Sequence, residues 1–524
     1  MLKIICRLDP SILAGLLIAA LLFDAGCASR SATGPVQPPR PAQPAASAGL
    51  LAALCPLNAP ALSSEIPGDS PLLGQAPFDC FAWQEFIALN WPAAAQAGQA
   101  APVDASRFGE PGETRPVVWE TYMDVHGVMR EGAQTPMAWG QSSPLPPACT
   151  QRRASEDRKV LRMTAKFRVD IEAPEDLAEA APTQRPNWLA DRDGNLVWYE
   201  ILIDKPEYDY IVQTTGFYNA DTQYQKVSQG THVDLPRGVY RGPHEKGRQG
   251  AMELKAAWLR VQDPTAEKWR RYKLSRALVY DPRHDTCAAA TLALVGLHIL
   301  HKTETQPQWT WATFEHVDNA PDRSQASTAG DRYTFYRSAC QPLPIPAHCR
   351  AHKSQGCAPP PAGITQTSCE PNTAPAYCLK LDGPSEQQCP PYPIQVVREL
   401  PIPDSNDNPV RRLNSGVQEM IRKANPDSVW QYYQLVNVLW SDSAVDENLA
   451  PKPPVTPLSE SGLRPSPPSF PSSNAVMETY VQTTTCVDCH RSATTAKSAQ
   501  DPKPLFASDY SFLLGMAKSP RRSP

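Results

Sequence analysis

The stretch AMELKAAWLRVQDPTAEKWRRYKLSRALVYDPRHDTCAAATLALVGLHILHKT, residues 251 to 303, indicates the fold of this 524-residue chain. It contains three apolar or alternating runs, AMELKAAWLRV, RYKLSRALVYD and AAATLALVGLHILHKT, separated by short polar or proline-containing breaks. Two further runs, WTWATFEHVDNA and RYTFYRSAC, follow without an intervening helical pattern. Successive strands joined by short connections pair antiparallel. We therefore predict a mainly β fold, an antiparallel sandwich or partly closed barrel, with a few packed helices.

Segments on either side of these runs add helices and further strands. The stretch DCFAWQEFIALNWP, from Asp79 to Pro92, has apolar residues at helical spacing, and we predict a helix with Asp79 as its N-cap and Pro92 as its stop. Residues 195–218 have the aromatic and β-branched composition of strands around turns. VRRLNSGVQEMIRKA predicts an amphipathic helix, whereas VWQYYQLVNVLW fits either a helix or a strand.

The amino terminus has the layout of a bacterial export signal. Lys3 and Arg7 precede an apolar run that is shorter than a comfortable transmembrane span, and small residues follow it. Cys27 stands after Ala-Gly, as in a lipoprotein cleavage box, so we predict an export signal over residues 1–27 with lipidation of Cys27. Ordinary cleavage and an uncleaved anchor are the alternatives.

The segment that follows Cys27 reads as a tether. Residues 28–50 are rich in proline and alanine and lack apolar periodicity. Ala28 favours sorting to the outer membrane, so we expect a lipoprotein at the periplasmic face of the cell envelope, anchored to the membrane by its N-terminal lipid. The net charge of −4, with no basic run, excludes nucleic acid as an expected partner.

Cysteine usage supports export. Of 14 cysteines, one lies in the signal, Cys27 is the predicted lipid site, and Cys486 and Cys489 form the motif described next. The remaining ten are an even set that predicts up to five disulfides in an oxidising compartment. Six of them fall between Cys340 and Cys389, among many prolines, which predicts a disulfide-stapled lobe; zinc binding there is the weaker alternative.

A short motif close to the carboxyl end carries the chemistry. Cys486-Val487-Asp488-Cys489-His490 has the CxxCH spacing of c-type haem attachment. The two thiols add to the haem vinyl groups, and the histidine is placed as an axial ligand of the iron. We predict one covalently attached haem c, with Cys486 and Cys489 as attachment sites and His490 as the proximal ligand; a structural disulfide and a zinc half-site are the alternatives.

The sixth iron ligand is left open by the sequence. Met516 is the tentative candidate, Met477 is expected to pack, and the Pro502 carbonyl is a candidate partner for the other ring nitrogen of His490. Histidines of the main domain compete for the same position, namely His298, His301 and His316. On a strand, His298 and His301 point to opposite faces and do not form one site.

Several stretches together resemble a known family. FAWQEFIALNWP, YDYIVQTTGFYN, GAMELKAAW, VGLHILHKT, QWTWATFEHVDN, CVDCH and DYSFLLGMA are similar to a group of proteobacterial proteins named cytochrome c family proteins. The likeness spans most of residues 77 to 517. It implies a haem role for Cys486, Cys489 and His490 and an association with the cell envelope.

These observations predict the following order along the chain after the signal and tether: a β-rich main domain with an N-terminal helix (51–339), a Cys/Pro-rich lobe (340–404), a helix with a strand or helix (405–450), a Pro-rich linker (451–473) and a short haem c attachment segment (474–524). The favoured function is electron transfer to or from a protein partner. A haem-dependent oxidoreductase or peroxidase with an open iron site, and a haem-based sensor or binding lipoprotein, are the alternatives, so enzyme status stays open.

Overall fold

The computed structural model describes residues 46–150, 159–162, 188–242, 247–281, 286–341, 369–375, 391–440, 474–483, 485–486, 490, 493–501 and 506–520. All of them belong to one compact unit. The predicted signal with Cys27, the tether up to residue 45 and the linker over 451–473 lie outside the described residues.

Eight strands of the described chain form one sheet. They are β1 Met123–Asp124, β2 Val160–Leu161, β3 Val197–Ile203, β4 Met252–Val261, β5 Leu274–Asp281, β6 Thr286–His301, β7 Thr310–His316 and β8 Tyr433–Leu439. The helices are α1 Ala46–Leu54, α2 Gln75–Leu89, α3 Val125–Val128, α4 Pro147–Thr150, α5 Lys205–Tyr208, α6 Ala220–Ser228 and α7 Val410–Ala424, with a π-helical turn, Asp209–Thr215, after α5.

The sheet forks at its longest strand, β6. The strand order is β1-β3-β4-β6-β5-β2, and a second branch runs from β6 to β7 and β8. Residues 286–293 of β6 pair with β5, whereas residues 296–301 pair with β7. Every pair is antiparallel except the short contact of β2 with β5. The predicted antiparallel, mainly β architecture is confirmed.

One face of this sheet, the helix face, is covered by helices rather than by a second sheet. Alternate strand residues such as Trp258, Leu297 and Phe314 join the largest apolar core together with residues of α2 and α7. Phe86 of α2 stacks on Phe314 with ring centroids 4.3 Å apart. The layer that a sandwich would supply with strands is therefore supplied here by helices.

Four of the five predicted runs became strands, and the fifth did not. The run over 332–340 contributes buried Phe335, but its backbone bonds go to two different loops: the Phe335 amide donates to the Asn319 carbonyl at 3.0 Å, and the Phe335 carbonyl accepts from Val396 at 2.8 Å. A segment held in this way can bury alternate residues, here Tyr333 and Phe335, without joining a ladder.

Two further sequence predictions were wrong in detail. Residues 195–218, predicted as strands, start as β3 but continue as α5 and the π-helical turn. The helix starts because Asp204 caps α5 by accepting from the Glu207 amide at 3.1 Å and because Pro206 lies in the first turn. Asp79 is not the N-cap of α2: Gly74 is, and Asp79 lies buried inside the helix, accepting from Gln75 Nε2 at 2.9 Å.

The helix predicted over 410–424 is confirmed as α7, and the ambiguous stretch after it is a short 3₁₀ turn followed by β8. Disulfides are also confirmed: Cys55–Cys80, Cys149–Cys287 and Cys340–Cys369 are formed. The other four cysteines of the Cys/Pro-rich lobe lie outside the described residues. Among the described residues, no helix is both long and apolar enough to cross a membrane.

Candidate functional site

The described residues between 474 and 520 pack on the face of the sheet opposite α2 and α7, which we call the C-terminal face. Asn474 begins the contact, because its Nδ2 donates to Thr313 Oγ1 at 2.8 Å and to the Phe314 carbonyl at 2.9 Å on β7. The Tyr199 hydroxyl of β3 donates to the Val476 carbonyl at 3.0 Å. The segment that carries the CxxCH motif is therefore packed on the main sheet.

A close approach at Gly296 makes this packing possible. A Cβ at that position of β6 would lie 2.7 Å from Val476 Cγ2 and 3.1 Å from Met477 Cγ. Both neighbours are fully buried. Met477 therefore packs against the sheet, which matches the role expected for it.

The far end of the segment is held by α6. Gln223 donates to the Leu514 carbonyl at 2.9 Å and accepts from the Ala496 amide at 2.8 Å. A glutamine with no exposed surface that bonds two separate parts of the segment fixes both in place.

His490 has a defined tautomer. Its Nδ1 lies 2.8 Å from the Tyr510 carbonyl oxygen, which only accepts hydrogen bonds, so Nδ1 carries the proton. In the neutral ring the lone pair is then on Nε2, the nitrogen that can bind a metal ion. Trp311 and Phe512 flank the ring edge-to-face, with centroids 4.6 and 4.9 Å away. A carbonyl on the second nitrogen is the usual way to orient a ligating histidine.

The Tyr510 carbonyl is aimed by a strained turn. Asp509 and Tyr510 both have left-handed backbone conformations, with φ of 55° and 66°. Such conformations cost about 1 kcal/mol or more for each non-glycine residue, so neighbours must hold them. The Asp509 carboxylate forms an ion pair with Lys302 and accepts from the Leu235 amide at 2.8 Å, and its carbonyl accepts from Trp309 Nε1 at 2.9 Å.

Electrostatics keep His490 neutral. Burial lowers its pKa to about 4, and the charges of Lys255 and His298 act in the same direction, whereas the Tyr510 carbonyl and Glu478 oppose them. At neutral pH the ring is therefore uncharged and Nε2 keeps its lone pair. His298 in turn lies 3.1 Å from Glu478.

The other motif residues are placed as follows. Cys486 is partly buried against the apolar cluster that contains Trp309, Trp311 and Tyr510, whereas Cys489 and Pro502 lie outside the described residues. Met516 packs in a different cluster, with residues such as Leu514 and Phe506.

The three main-domain histidines do not form one site. On β6, His298 points to the C-terminal face, while His301 points to the helix face and lies 2.6 Å from Glu85 of α2. His316 donates from Nε2 to the Arg271 carbonyl at 3.0 Å and accepts from the Asp318 amide at 3.1 Å. His301 and His316 are thus hydrogen-bonded core residues, and His298 is the histidine of this set that interacts with His490.

Two carboxyl groups near the strained turn were missed by the sequence reasoning. Glu207, at the start of α5, and Glu253, on β4, are buried next to each other. The Ser511 side chain hydrogen-bonds to Glu253. No local pattern pairs residues 46 positions apart on different elements, so the sequence offered no signal for this contact.

Within the described residues, no group of three or more His, Cys, Asp or Glu side chains is arranged to hold a metal ion. Comparison with family models, with curated proteins and with solved structures finds no match to this chain.

Proposed function

We propose that this chain is a cell-envelope c-type cytochrome that carries one covalently attached haem and exchanges electrons with a protein partner. The observation that carries the proposal is the pairing of the CxxCH motif with the bond from His490 Nδ1 to the Tyr510 carbonyl. The motif supplies two thiols and an imidazole at the haem c spacing, and the bond leaves Nε2 available for iron.

The residues around His490 fit such a group. Cys486 and Cys489 would form the thioether links, and His490 Nε2 would bind the iron. Trp311 and Phe512 flank the imidazole with apolar rings, which limits the access of water to the ligand. A haem held there would supply reversible one-electron chemistry.

The place in the cell follows from the amino terminus and belongs to the same proposal. An export signal delivers the chain to the compartment where haem c is attached, and lipidation of Cys27 would hold it at the outer membrane, facing the periplasm. The resemblance to cytochrome c family proteins supports the same assignment. Electron exchange with another envelope protein then needs no bound organic substrate.

Met516 remains the proposed sixth ligand, and His298 is its competitor. Met516 is in the same C-terminal segment, although its side chain packs in a different cluster from that of Cys486. His298 interacts electrostatically with His490 and is only partly buried. The two candidates give different iron spectra, because thioether and imidazole ligands differ in softness and set different potentials.

The first experiment tests haem attachment. The full chain is matured in a bacterial periplasm that has haem c assembly, and covalent haem is measured after denaturation. We expect one haem per chain, and its loss or weakened attachment in Cys486→Ser and Cys489→Ser. The double variant Cys340→Ser/Cys369→Ser, which removes a disulfide away from the motif, should keep its haem. A wild-type chain that leaves an active assembly system without haem would refute the proposal.

The second experiment tests the role of the haem. Absorption spectra of the oxidised, reduced and carbon monoxide-treated protein are compared for the wild type, Met516→Ala and His298→Ala. Low-spin iron that ignores carbon monoxide supports an electron carrier, and the variant that becomes high-spin identifies the sixth ligand.

A second function is favoured by one observation. His298 and Glu478, 3.1 Å apart, both lie close enough to His490 to affect its pKa. A histidine paired with a carboxylate is an arrangement used in general acid–base catalysis. If the iron site is open, this pair would serve a haem-dependent oxidoreductase or peroxidase, or a gas sensor. High-spin iron that readily binds carbon monoxide in the wild type would favour this alternative.

A further inference from the structure

A pair of buried carboxyl groups, Glu207 and Glu253, stands beside the turn that holds His490. Glu207 has no exposed surface and Glu253 is 8% exposed. In the described part of the chain, no N–H or hydroxyl donor reaches either oxygen of Glu207 or Oε1 of Glu253. The neighbour of Glu207 is instead the carboxyl group of Glu253.

Two adjacent buried carboxylates cannot both stay ionised without a compensating charge. A proton on Glu207 resolves this, because the acid then donates a hydrogen bond to the Glu253 carboxylate. Burial raises the pKa of Glu207 well above its usual range and that of Glu253 to about 7. Asp204 differs from both, because each of its oxygens has an N–H donor, from Glu207, Met252 and the Gln249 side chain.

The pair is linked to the His490 site by the strained turn. The Ser511 hydroxyl bonds Glu253, while its oxygen accepts from the Leu513 amide at 3.2 Å. Ser511 follows Tyr510, whose carbonyl orients His490. In addition, Glu253 and Lys255 lie on the same face of β4, two residues or about 7 Å apart. The charge of Lys255 lowers the pKa of His490, so charges on this face act on the His490 site.

The charged groups around the pair come from several elements. They are Asp204 and Asp209 at the start and end of α5, Lys255 on β4, Lys302 after β6, Asp234 after α6, and Asp509 in the turn. Lys302 is occupied by its ion pairs with Asp234 and Asp509. None of the ion pairs found among the described residues includes Glu207 or Glu253, so a proton on Glu207 removes one of the two adjacent negative charges.

We propose that Glu253, beside a Glu207 that keeps its own proton, takes up one proton when the haem held by His490 is reduced and releases it when the haem is oxidised. This inference rests on the proposed function. In reduction, one electron comes from the protein donor and one proton comes from water onto the pair, so the net charge of the buried region is unchanged. Oxidation returns the electron to a protein acceptor and the proton to solvent.

The coupling is expected because the carboxyl pair is buried in a region of low dielectric. There, an electron added to the haem strongly favours the binding of a proton by the pair. In water-exposed groups the same interaction would be screened.

The test measures the midpoint potential of the haem-loaded full chain from about pH 5 to about pH 9. For the wild type we expect the potential to fall as the pH rises through neutrality. Glu253→Gln should abolish this fall, because Glu207 is then a neutral acid beside an amide. In Glu207→Gln the amide donates to Glu253 and stabilises its carboxylate, so the fall should move to lower pH.

The matched control is Glu85→Gln, which changes a buried glutamate on the helix face of the sheet. Its potential should show the wild-type pH dependence. A second readout is the reduced-minus-oxidised infrared spectrum, in which a protonated carboxyl band should appear in the wild type and in the control but not in Glu253→Gln.

Each outcome has a separate meaning. If the chain carries no haem, the proposed function fails and the redox linkage fails with it. If haem is attached but the potential does not vary with pH and no carboxyl band changes, the redox linkage alone is overturned. If the band persists in a folded Glu253→Gln variant, the proton is on another group and the assignment is wrong.

Discussion

At the residue scale, His316 is held as a neutral ring by two opposite hydrogen bonds. Nε2 donates to the Arg271 carbonyl, Nδ1 accepts from the Asp318 amide, and the ring stacks on Tyr272 with centroids 3.6 Å apart. Protonation of Nδ1 would break the bond from Asp318. Burial accordingly lowers the pKa of His316 from 6.5 to about 3.

This lowered pKa predicts acid sensitivity. Above pH 6.5, His316 is neutral in both the folded and the unfolded chain. Below pH 6.5, only the unfolded chain gains the proton. The contribution of His316 to the free energy of unfolding therefore falls by about 1.4 kcal/mol per pH unit until the folded pKa is reached. Urea unfolding at pH 7 and pH 5 should show that His316→Gln, whose amide can donate to the Arg271 carbonyl in place of Nε2 but does not titrate, loses less stability than the wild type between these pH values. An equal loss in both proteins would contradict this.

Lys159 shows how a buried charge is compensated. Its Nζ lies 2.7 Å from Glu120 and 3.1 Å from Glu200, and 4.3 Å from the ring centroid of Trp258. Lys273 also pairs with Glu120, at 3.3 Å, but among the described residues no second cation forms an ion pair with Glu200. Removing one member of such a cluster is costly, because the remaining charges stay buried.

Lys159→Met is therefore expected to lower the free energy of unfolding by about 3 to 5 kcal/mol, measured by denaturant unfolding at pH 7. Replacement of the exposed ion-pair member Arg107 by Met is the matched control and should cost less than about 1 kcal/mol. If the two variants are equally stable, Lys159 is not needed for the compensation described.

At the element scale, the apolar pattern of the sequence correctly predicted the strands that pair within the sheet. It failed for segments whose backbone hydrogen bonds go to loops or whose conformation is set by a helix cap. β4 to β7 follow their apolar runs, and α7 follows its amphipathic spacing. The run over 332–340 alternates equally well, yet its hydrogen-bond partners are loops, which no local pattern reveals. Residues 205–215 include many aromatic and β-branched residues, as strands do, but the cap at Asp204 starts a helix.

Gly296 is the element-scale test of how the C-terminal segment fits the sheet. Gly296→Ala places a methyl group 2.7 Å from Val476, on a fully buried backbone that has little room to move. We expect a loss of about 1 to 3 kcal/mol in unfolding free energy and faster amide hydrogen exchange in residues 474–482. The control is Gly49→Ala, where a Cβ meets nothing within 4 Å. Gly112→Ala is unsuitable as a control, because a φ of 74° strains any residue other than glycine.

At the scale of the whole molecule, the sequence predicted the haem motif but not its surroundings. Cys486, Cys489 and His490 lie within five residues of one another, so the haem attachment proposed for them could be predicted from their spacing alone. The carbonyl that orients His490 was sought at Pro502, whereas the structure places it at Tyr510. A backbone carbonyl has no residue signature, and its direction depends on left-handed conformations at Asp509 and Tyr510 that are held by distant Lys302 and Trp309.

The extent of this packing leads to a prediction about the intact fold. Residues 474–520 contribute buried Val476, Met477, Phe506, Leu513 and Leu514 to two apolar clusters, and each such side chain contributes about 1.5 to 3 kcal/mol when fully buried. Hydrogen bonds donated by Tyr199 and Gln223, and one that Thr313 accepts from Asn474, add specificity. If a protease site is inserted within residues 451–473 and cut, the two fragments should stay together through size-exclusion chromatography.

Association of the cut fragments should depend on the fit at the sheet surface rather than on the covalent link. The cut Gly296→Ala protein should therefore release residues 474–524 more readily than the cut wild type, because its Cβ displaces Val476 and Met477. In the cut wild type, denaturant should separate the fragments at the concentration at which the sheet unfolds, and in the cut Gly296→Ala protein at a lower concentration. Release of the wild-type fragment in native buffer would mean that the linker, and not the apolar contact with β3, β6 and β7, holds the CxxCH segment to the sheet.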